Sequence, residues 1–559
     1  MPTISVIKSD LERLAGQSYT NEELSLALEQ VKAEIDSEEE GELRIQLKDT
    51  NRPDLWCSEG VARQVKGIRE GAHPDYAFFG GDSQGRELIV DASIQPVRPY
   101  VAAFACTGID IDDVTLRQLI EAQEKLADNY GRGRRAVAIG IYDASDIVFP
   151  VHYKAVDPGK TEFVPLESDG PMNLRQILEE HPTGKTYAHL LEGYDAFPLL
   201  TDDRGEVLSM PPVINSQTLG RVEVGDSFLF CEATGPELDA VLLSMAIMAV
   251  NMADRGGEIL PVKVRYPYDT PRGKEIVCPF DMTSAIQVGA DEIERLAGRE
   301  ISQEEITGAL VSMGYRDVEV GERVTARPAP YRDDLLHPVD MIEDVVIGVG
   351  YDGFEPEMPK DFTVGKPAPV EDLSDRVRDL LVGSGFQEAF MGILTSRANL
   401  TDRMRNPGAK IVEISNPMSE NYSAARNSLI PGLLGVESVS RRAIYPHKVF
   451  EVGEVAVIAP DENYGTATDV VATVMEADAD ANLSDIQSSL EVLAYYLKFE
   501  YDLRPVDHPS FLAGRSGEIV SGGKPVGIIG ELHPEVLDNW GVSTPASVFE
   551  ISLGFLGKA

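Results

Sequence analysis

The stretch APYRDDLLHPVDMIEDVVIGVGY carries the sharpest chemical constellation in this chain. Pro338 suits the first turn of a helix, and that helix carries Asp340, Glu343 and Asp344. Spacings of i, i+3 and i+4 place these three carboxylates on one face, and Asp334, six residues before Asp340, can fold back beside them. Four clustered carboxylates suit a hard cation with oxygen ligands such as Mg2+, which takes a few carboxylates and keeps several waters. The alternative is that acids in a first turn complement the helix dipole, each worth about 0.3 to 1 kcal/mol.

Other reactive residue types are thinner. Arg132, Arg134 and Arg135 form a basic knot in GRGRRAVAIGIYD, and Arg63, Lys66 and Arg69 share one helical face. Both groups could contact phosphates, and both read equally as solvated surface. The GxG in the first of these precedes its strand, the reverse of a dinucleotide fingerprint. Eight histidines without HxH or HExxH spacing, and four separated cysteines (Cys57, Cys106, Cys231, Cys278) without a CxxC pair, leave no zinc motif and no disulfide framework.

An internal repeat shows which elements must position these groups. LERLAGQSYTNEELSLAL (11–28) aligns without gaps on IERLAGREISQEEITGAL (293–310), and Arg52-Pro53-Asp54-Leu55 matches Arg332-Asp333-Asp334-Leu335. Gly16 and Gly298 suit helix ends, and Thr20 and Ser302, each followed by an acid at the third position, suit helix starts. Where the second copy has Asp340, Glu343 and Asp344, the first has Gly60, Arg63 and Gln64, so the scaffold itself does not require acids there. Asp54 and Asp334 do correspond, which suggests a role in the turn of both copies.

With 559 residues, the chain exceeds the roughly 250 to 300 at which one core stops growing, and about four domains are expected. The expected fold is multidomain α+β. It comprises a first repeat copy over 1–85, a mixed β-rich domain over 86–262, a second copy over 263–356 and, after a linker with Pro356, Pro359, Pro367 and Pro369, a strand-rich domain over 371–559. No stretch approaches the ~18 apolar residues of a membrane span, and the N-terminus lacks a signal-peptide pattern, so a cytoplasmic location is expected. Fifty basic against 93 acidic side chains give a net charge of −43, which excludes a basic face over the whole molecule and leaves only local patches for nucleic acid.

NRPDLWCSEGVARQVKGI, PYRDDLLHPVDMIEDVVIGVGYDGFEPEMP and NPMSENYSAARNSLIPGLLG, in that order and spacing, resemble the β subunits of phenylalanyl-tRNA synthetases in their shorter archaeal and eukaryotic form. The resemblance covers nearly the whole chain. It implies an α2β2 heterotetramer with an α subunit that binds ATP and phenylalanine, tRNA(Phe) as a further partner, and no membrane. It also implies a DNA-binding-like fold for the two repeat modules, and magnesium at Asp334, Asp340, Glu343 and Asp344, near the α subunit.

The same resemblance implies that 371–559 form an antiparallel, class II synthetase-like domain without its chemistry. A working class II site needs an arginine on its second-motif strand to meet the ATP phosphate. After PHKVFEVGEV this chain has Ala456, Val457 and Ile458, and its last strand, SVFEISLGFL, lacks an arginine-bearing third motif. Arg426, Arg441 and Arg442 then read as surface, packing or subunit contacts. The family further places hydrolytic editing of Tyr-tRNA(Phe) in the 86–262 domain, which nominates Leu200, Ser209, Asn215, Glu232 and Thr234. The family segment DVTG is here Glu232-Ala233-Thr234-Gly235, with an acid one methylene longer. A scaffold subunit that binds tRNA without editing is the alternative.

Overall fold

The structure is a computed structural model that describes residues 2–48, 51–440 and 442–555, so Arg441 lies outside the described residues. The chain forms two compact units, Met1–Met358 and Pro359–Ala559.

The first unit opens with β1 (Thr3–Ile7), α1 (Lys8–Ala15), α2 (Asn21–Glu29), β2 (Ala33–Glu39), β3 (Glu42–Leu47) and α3 (Ser58–Glu70). Its three strands pair antiparallel in the order β1-β3-β2. Gly16 ends α1 at φ 71°, where a side chain would be strained, and its N–H returns to the Arg13 carbonyl. Thr20 then starts α2 with a capping box: its hydroxyl accepts from the Glu23 N–H, and the Glu23 carboxylate accepts from the Thr20 N–H at 2.8 Å.

A mixed sheet follows. Its elements are β4 (Glu87–Val90), β5 (Tyr100–Thr107), α4 (Asp113–Lys125), β6 (Ala138–Asp143), β7 (Val151–Val156), the short pair β8 (Glu162–Phe163) and β9 (Met172–Asn173), α5 (Leu174–Glu180), α6 (Pro182–Tyr187), β10 (Phe197–Thr201), β11 (Val207–Met210), β12 (Ile214–Asn215), β13 (Phe228–Gly235), α7 (Leu238–Asp254), β14 (Glu258–Arg265) and β15 (Glu275–Cys278). Ten strands run in the order β12-β11-β10-β7-β4-β14-β5-β13-β6, with β15 added on β14; β4 is parallel to β7 and to β14, and the other pairs are antiparallel. The apolar α7, buried along nearly all its length, packs on β5 and β13. β13 is buried on both faces and therefore shows no polar alternation. The sheet curls until its two ends meet: on β12, Asn215 Nδ2 donates to the carbonyl of Ile141 on β6. The four cysteines are free and buried.

The second repeat copy is β16 (Ile286–Gly289), α8 (Ala290–Ala297), α9 (Gln303–Ser312), β17 (Arg316–Val320), β18 (Arg323–Arg327) and α10 (Pro338–Val349). Its strand order, β16-β18-β17, repeats that of the first copy, as do Gly298 at φ 76° and the Ser302–Glu305 capping box. Alanine at either Thr20 or Ser302 is expected to cost about 1 kcal/mol, read as a lowered denaturation midpoint. The copies differ in their third helix. α10 packs chiefly on α9, whereas α3 packs chiefly on α1 and turns its other side to α7 and α9.

The second unit contains α11 (Pro369–Gly383), β19 (Gln387–Glu388), β20 (Leu394–Thr395), α12 (Arg397–Leu400), β21 (Val412–Glu413), β22 (Ala424–Ala425), α13 (Ile430–Val439), β23 (His447–Ile458), β24 (Thr466–Ala477), α14 (Leu483–Leu497), β25 (Asp502–Pro505), β26 (Phe511–Ser521), β27 (Lys524–Leu532), α15 (Pro534–Trp540) and β28 (Ala546–Ser552). Its seven-stranded sheet runs β19-β23-β24-β28-β27-β26-β25. It is antiparallel except for the parallel edge strand β19, so the expected purely antiparallel sheet is corrected to a mixed one. Neighbouring residues serve opposite faces: Val474 and Phe549 pack with α11 and α14, while Met475 and Val548 pack with α13 and α15. Strand β23 carries no arginine, and Arg426 is spent on the buried Glu451 at 2.6 Å. Among the described residues no helix is long and apolar enough to cross a membrane.

Candidate functional site

Two groups of side chains in the first unit have the chemistry of a site. The first lies at the seam of the curled sheet. A cavity of about 250 Å3 is walled there by Ser209 of β11, Asn215 of β12, Glu232 of β13, Ile139 of β6 and Arg134. It shares Gln123, Arg134, Leu166, Glu167 and Asn215 with a neighbouring groove of about 890 Å3. Of the five residues nominated from the sequence, Ser209, Asn215 and Glu232 line the cavity. Leu200 and Thr234 are fully buried behind it. Leu200 stands opposite Ser209 in the β10–β11 register, and the Thr234 hydroxyl accepts from Arg98 Nε at 3.0 Å.

Glu232 is the centre of this site. Tyr142 of β6 reaches across to it: the phenol oxygen lies 2.8 Å from Glu232 Oε1 and 2.8 Å from Ser209 Oγ. With one proton on each hydroxyl, Ser209 donates to Tyr142 and Tyr142 donates to Glu232. Glu232 Oε2 is buried with no partner among the described residues. Burial pushes the Glu232 carboxyl up to about 8, against the Tyr142 hydrogen bond and the Arg98 charge, which pull it down. Arg98 is itself buried and donates only to uncharged oxygens, the Thr234, Arg134 and Arg135 carbonyls and the Thr234 hydroxyl. It thereby ties the GRGRRA loop to the end of β13. Sequence reasoning missed Tyr142 and Arg98. The only trace of Tyr142 was its place two residues after Gly140 in a period-2 strand, and Arg98 left none.

The basic residues separate by burial. Arg132 and Arg135 are exposed, while Arg134 stacks on the Tyr187 ring at 3.9 Å and donates to the Val213 carbonyl at 3.0 Å. Lys66 is half-buried. Arg63 is a correction: it is buried, ion-paired with Asp254 at 2.6 Å and seated over the Tyr331 ring, so it presents no charge to an RNA. Its helix face meets α7 instead of solvent.

The second group surrounds a cavity of about 40 Å3 between the repeat copies, lined by all four candidate carboxylates together with Lys32, Arg52 and Arg332. Arg332 forks onto Asp334 through Nε (3.0 Å) and Nη2 (2.5 Å) and pairs with Asp344 at 2.7 Å. Tyr315 also donates to Asp344, at 2.8 Å. Arg52 makes the same fork onto Asp54 in the first copy and stands 3.8 Å from Asp334. Burial alone would raise the Asp334 carboxyl, but Arg332 and Arg52 hold it down to about 2. Glu343 pairs with Lys32 at 2.6 Å, and Asp340 accepts from the Leu336 and His337 N–H groups as part of the α10 cap. Among the described residues, no three acids, histidines or cysteines converge as metal ligands would. The donor set nonetheless suits Mg2+ by chemistry, being oxygen only and richer in carboxylates than in cations.

Comparisons with known proteins agree with these features. The model of the phenylalanyl tRNA synthetase beta chain CLM domain matches residues 355–553, and that of the tRNA synthetase B5 domain matches residues 286–351, the second repeat copy. A phenylalanine–tRNA ligase beta subunit of Borreliella burgdorferi is 40% identical over 100% of this chain and 99% of its own length. That of Treponema pallidum is 40% identical over 92% of this chain and 86% of its own. The crystal structure of an N-terminal fragment of the phenylalanyl-tRNA synthetase beta-subunit from Pyrococcus horikoshii, 39% identical, superposes with a TM-score of 0.59 over 63% of this chain and 100% of that fragment. The chain thus belongs to the family of phenylalanine–tRNA ligase β subunits of archaeal and eukaryotic type, one part of an aminoacyl-tRNA synthetase that serves protein biosynthesis with an α subunit.

Proposed function

We propose that the seam cavity hydrolyses tyrosine mistakenly esterified to tRNA(Phe), within an α2β2 assembly whose α subunit binds ATP and phenylalanine and forms Phe-tRNA(Phe). In this reading 1–85 and 263–356 are the two repeat modules, 86–262 the editing domain, and 371–559 a class II-like domain without catalysis that docks the α subunit. The observation that carries it is Glu232, a buried carboxyl on the wall of a cavity with one oxygen left unpaired. An apolar phenylalanine pocket rejects one added hydroxyl only about a hundredfold, roughly 2.7 kcal/mol. A site that hydrogen-bonds the hydroxyl can discriminate by about 10⁴ to 10⁵ in the other direction. Glu232 and Ser209 supply the polar end of such a site. The 890 Å3 groove beside it has room for the nucleotide bearing the ester. Exposed Arg132 and Arg135, which flank the groove-lining Arg134 in sequence, and Lys66 are the candidate phosphate contacts.

The deciding experiment is deacylation of preformed Tyr-tRNA(Phe) and Phe-tRNA(Phe) by the chain assembled with its α subunit. Selective loss of the tyrosyl ester, abolished by Glu232→Ala, is expected. Persistence of both esters, with phenylalanine charging intact, would reduce the chain to a scaffold that binds tRNA without editing.

Asp334, Asp340, Glu343 and Asp344 would hold Mg2+ in the 40 Å3 cavity, where the ion supplies positive charge between carboxylates that Lys32 and Arg332 only partly neutralise. Native mass spectrometry of the assembled protein is expected to find the ion, and Asp340→Asn to weaken assembly; no ion and unchanged assembly would reject the assignment.

A further inference from the structure

Gly140 stands directly opposite Glu232 in the β6–β13 register, on the same strand face as Tyr142. A Cβ at Gly140 would collide with the Tyr142 hydroxyl and crowd Glu232 Oε1. The strand therefore omits a side chain at the point where the phenol crosses to the carboxyl. The Tyr142 ring is fully buried against Phe230, with centroids 6.0 Å apart, and Phe230 is braced in turn by Phe149 at 5.9 Å. A ring fixed in this way delivers its hydroxyl to one place. There it satisfies Ser209 and one oxygen of Glu232, and among the described residues no group meets the other oxygen.

We infer that Tyr142 is the positioning residue that sets specificity in this cavity: its hydroxyl, anchored by Ser209, pins Oε1 of Glu232 and so leaves Oε2 for the hydroxyl of a phenolic ring. The inference rests on the editing reading above and deepens it. A carboxyl free to rotate would find a partner of its own, and a ligand without a hydroxyl would then cost the site nothing. Held by Tyr142, the carboxyl stays half-satisfied until a hydroxylated ring arrives. A phenylalanyl group leaves it so, which is the source of discrimination.

Tyr142→Phe keeps the ring and removes only the hydroxyl. In the assembled enzyme it is expected to lower kcat/KM for Tyr-tRNA(Phe) by about 10- to 100-fold, chiefly through KM, the range of one hydrogen bond to a carboxyl. Phe-tRNA(Phe) hydrolysis should move far less, so the ratio between the two esters collapses. Ser209→Ala, which removes the anchor without touching the ring, should shift the ratio in the same direction and serves if Tyr142→Phe folds poorly. An unchanged ratio in both variants, alongside abolition by Glu232→Ala, would overturn the role of Tyr142 and leave editing standing. Equal losses on both esters would overturn it too, as the mark of a purely structural residue. No hydrolysis by the unmodified assembly would overturn the editing reading and this inference together.

Discussion

Between pH 5 and pH 8 the unmodified chain is expected to lose several kcal/mol of stability that the Glu232→Gln variant keeps. In the unfolded chain Glu232 ionises near its ordinary value of 4.5, whereas burial in the folded chain raises it to about 8. Below 4.5 both states are protonated and the group favours neither. From there to about 8 the unfolded state gives up its proton and the folded state does not, so each step in pH favours unfolding; above 8 the penalty stays constant. The full displacement is worth roughly 5 kcal/mol as an upper bound. Glutamine preserves the acceptor that Tyr142 uses and cannot ionise. Its amide protons cost about 1 to 3 kcal/mol if unpaired, but that cost does not vary with pH. Denaturation midpoints of both proteins in the assembled enzyme, taken at pH 5, 6.5 and 8, should therefore diverge. Parallel slopes would mean that the carboxyl is ionised in the folded state and that the unpaired oxygen is already solvated.

The features most legible in the sequence were those written locally. Gly16 and Gly298 end their helices in the left-handed region because few other residues do so without strain, and Thr20 and Ser302 form capping boxes with acids three positions on. Those signals made the repeat visible. The correspondence of Asp54 with Asp334 proved to be a shared Arg-x-Asp fork, although aligning the copies did not say what the aspartate was for. Residues whose partners lie far away along the chain were illegible. Tyr142 meets Glu232 ninety positions on, Arg63 meets Asp254 across 191, and Lys32 meets Glu343 across 311. Arg63 illustrates the error: a basic residue on a helix reads as exposed unless the element covering it is known. The pattern of β13 offered no help either, because a strand buried on both sides has no polar face to mark its direction.

Arg332→Met should be the most destabilising single change in the carboxylate cluster, by about 3 to 5 kcal/mol, the cost of removing one partner from a buried ion pair. Arg332 is 5% exposed and holds both Asp334 and Asp344. With it, two guanidiniums face three buried carboxylates, Asp54 included; without it, Arg52 alone would face all three. The equivalent loss of Arg52 leaves the same three carboxylates but strips only Asp54 of its direct partner, because Arg332 keeps Asp334 and Asp344 and the first copy has neutral Gln64 where the second has Asp344. Arg52→Met is therefore expected to cost less than Arg332→Met, although both arginines are equally buried. Converting Asp344 to asparagine in the Arg332→Met background should recover part of the loss, since it removes one of the unpaired charges. Arg332→Lys should recover little, because an ammonium cannot reproduce the two-point fork onto Asp334. The same series tests the magnesium assignment. If these carboxylates hold the ion, the variant with the larger negative excess gains the most from it. Millimolar Mg2+ should then raise the denaturation midpoint of Arg332→Met more than that of the unmodified chain. Equal or absent responses would mean that Arg332, Arg52 and Lys32 are the only cations the cluster was built to take.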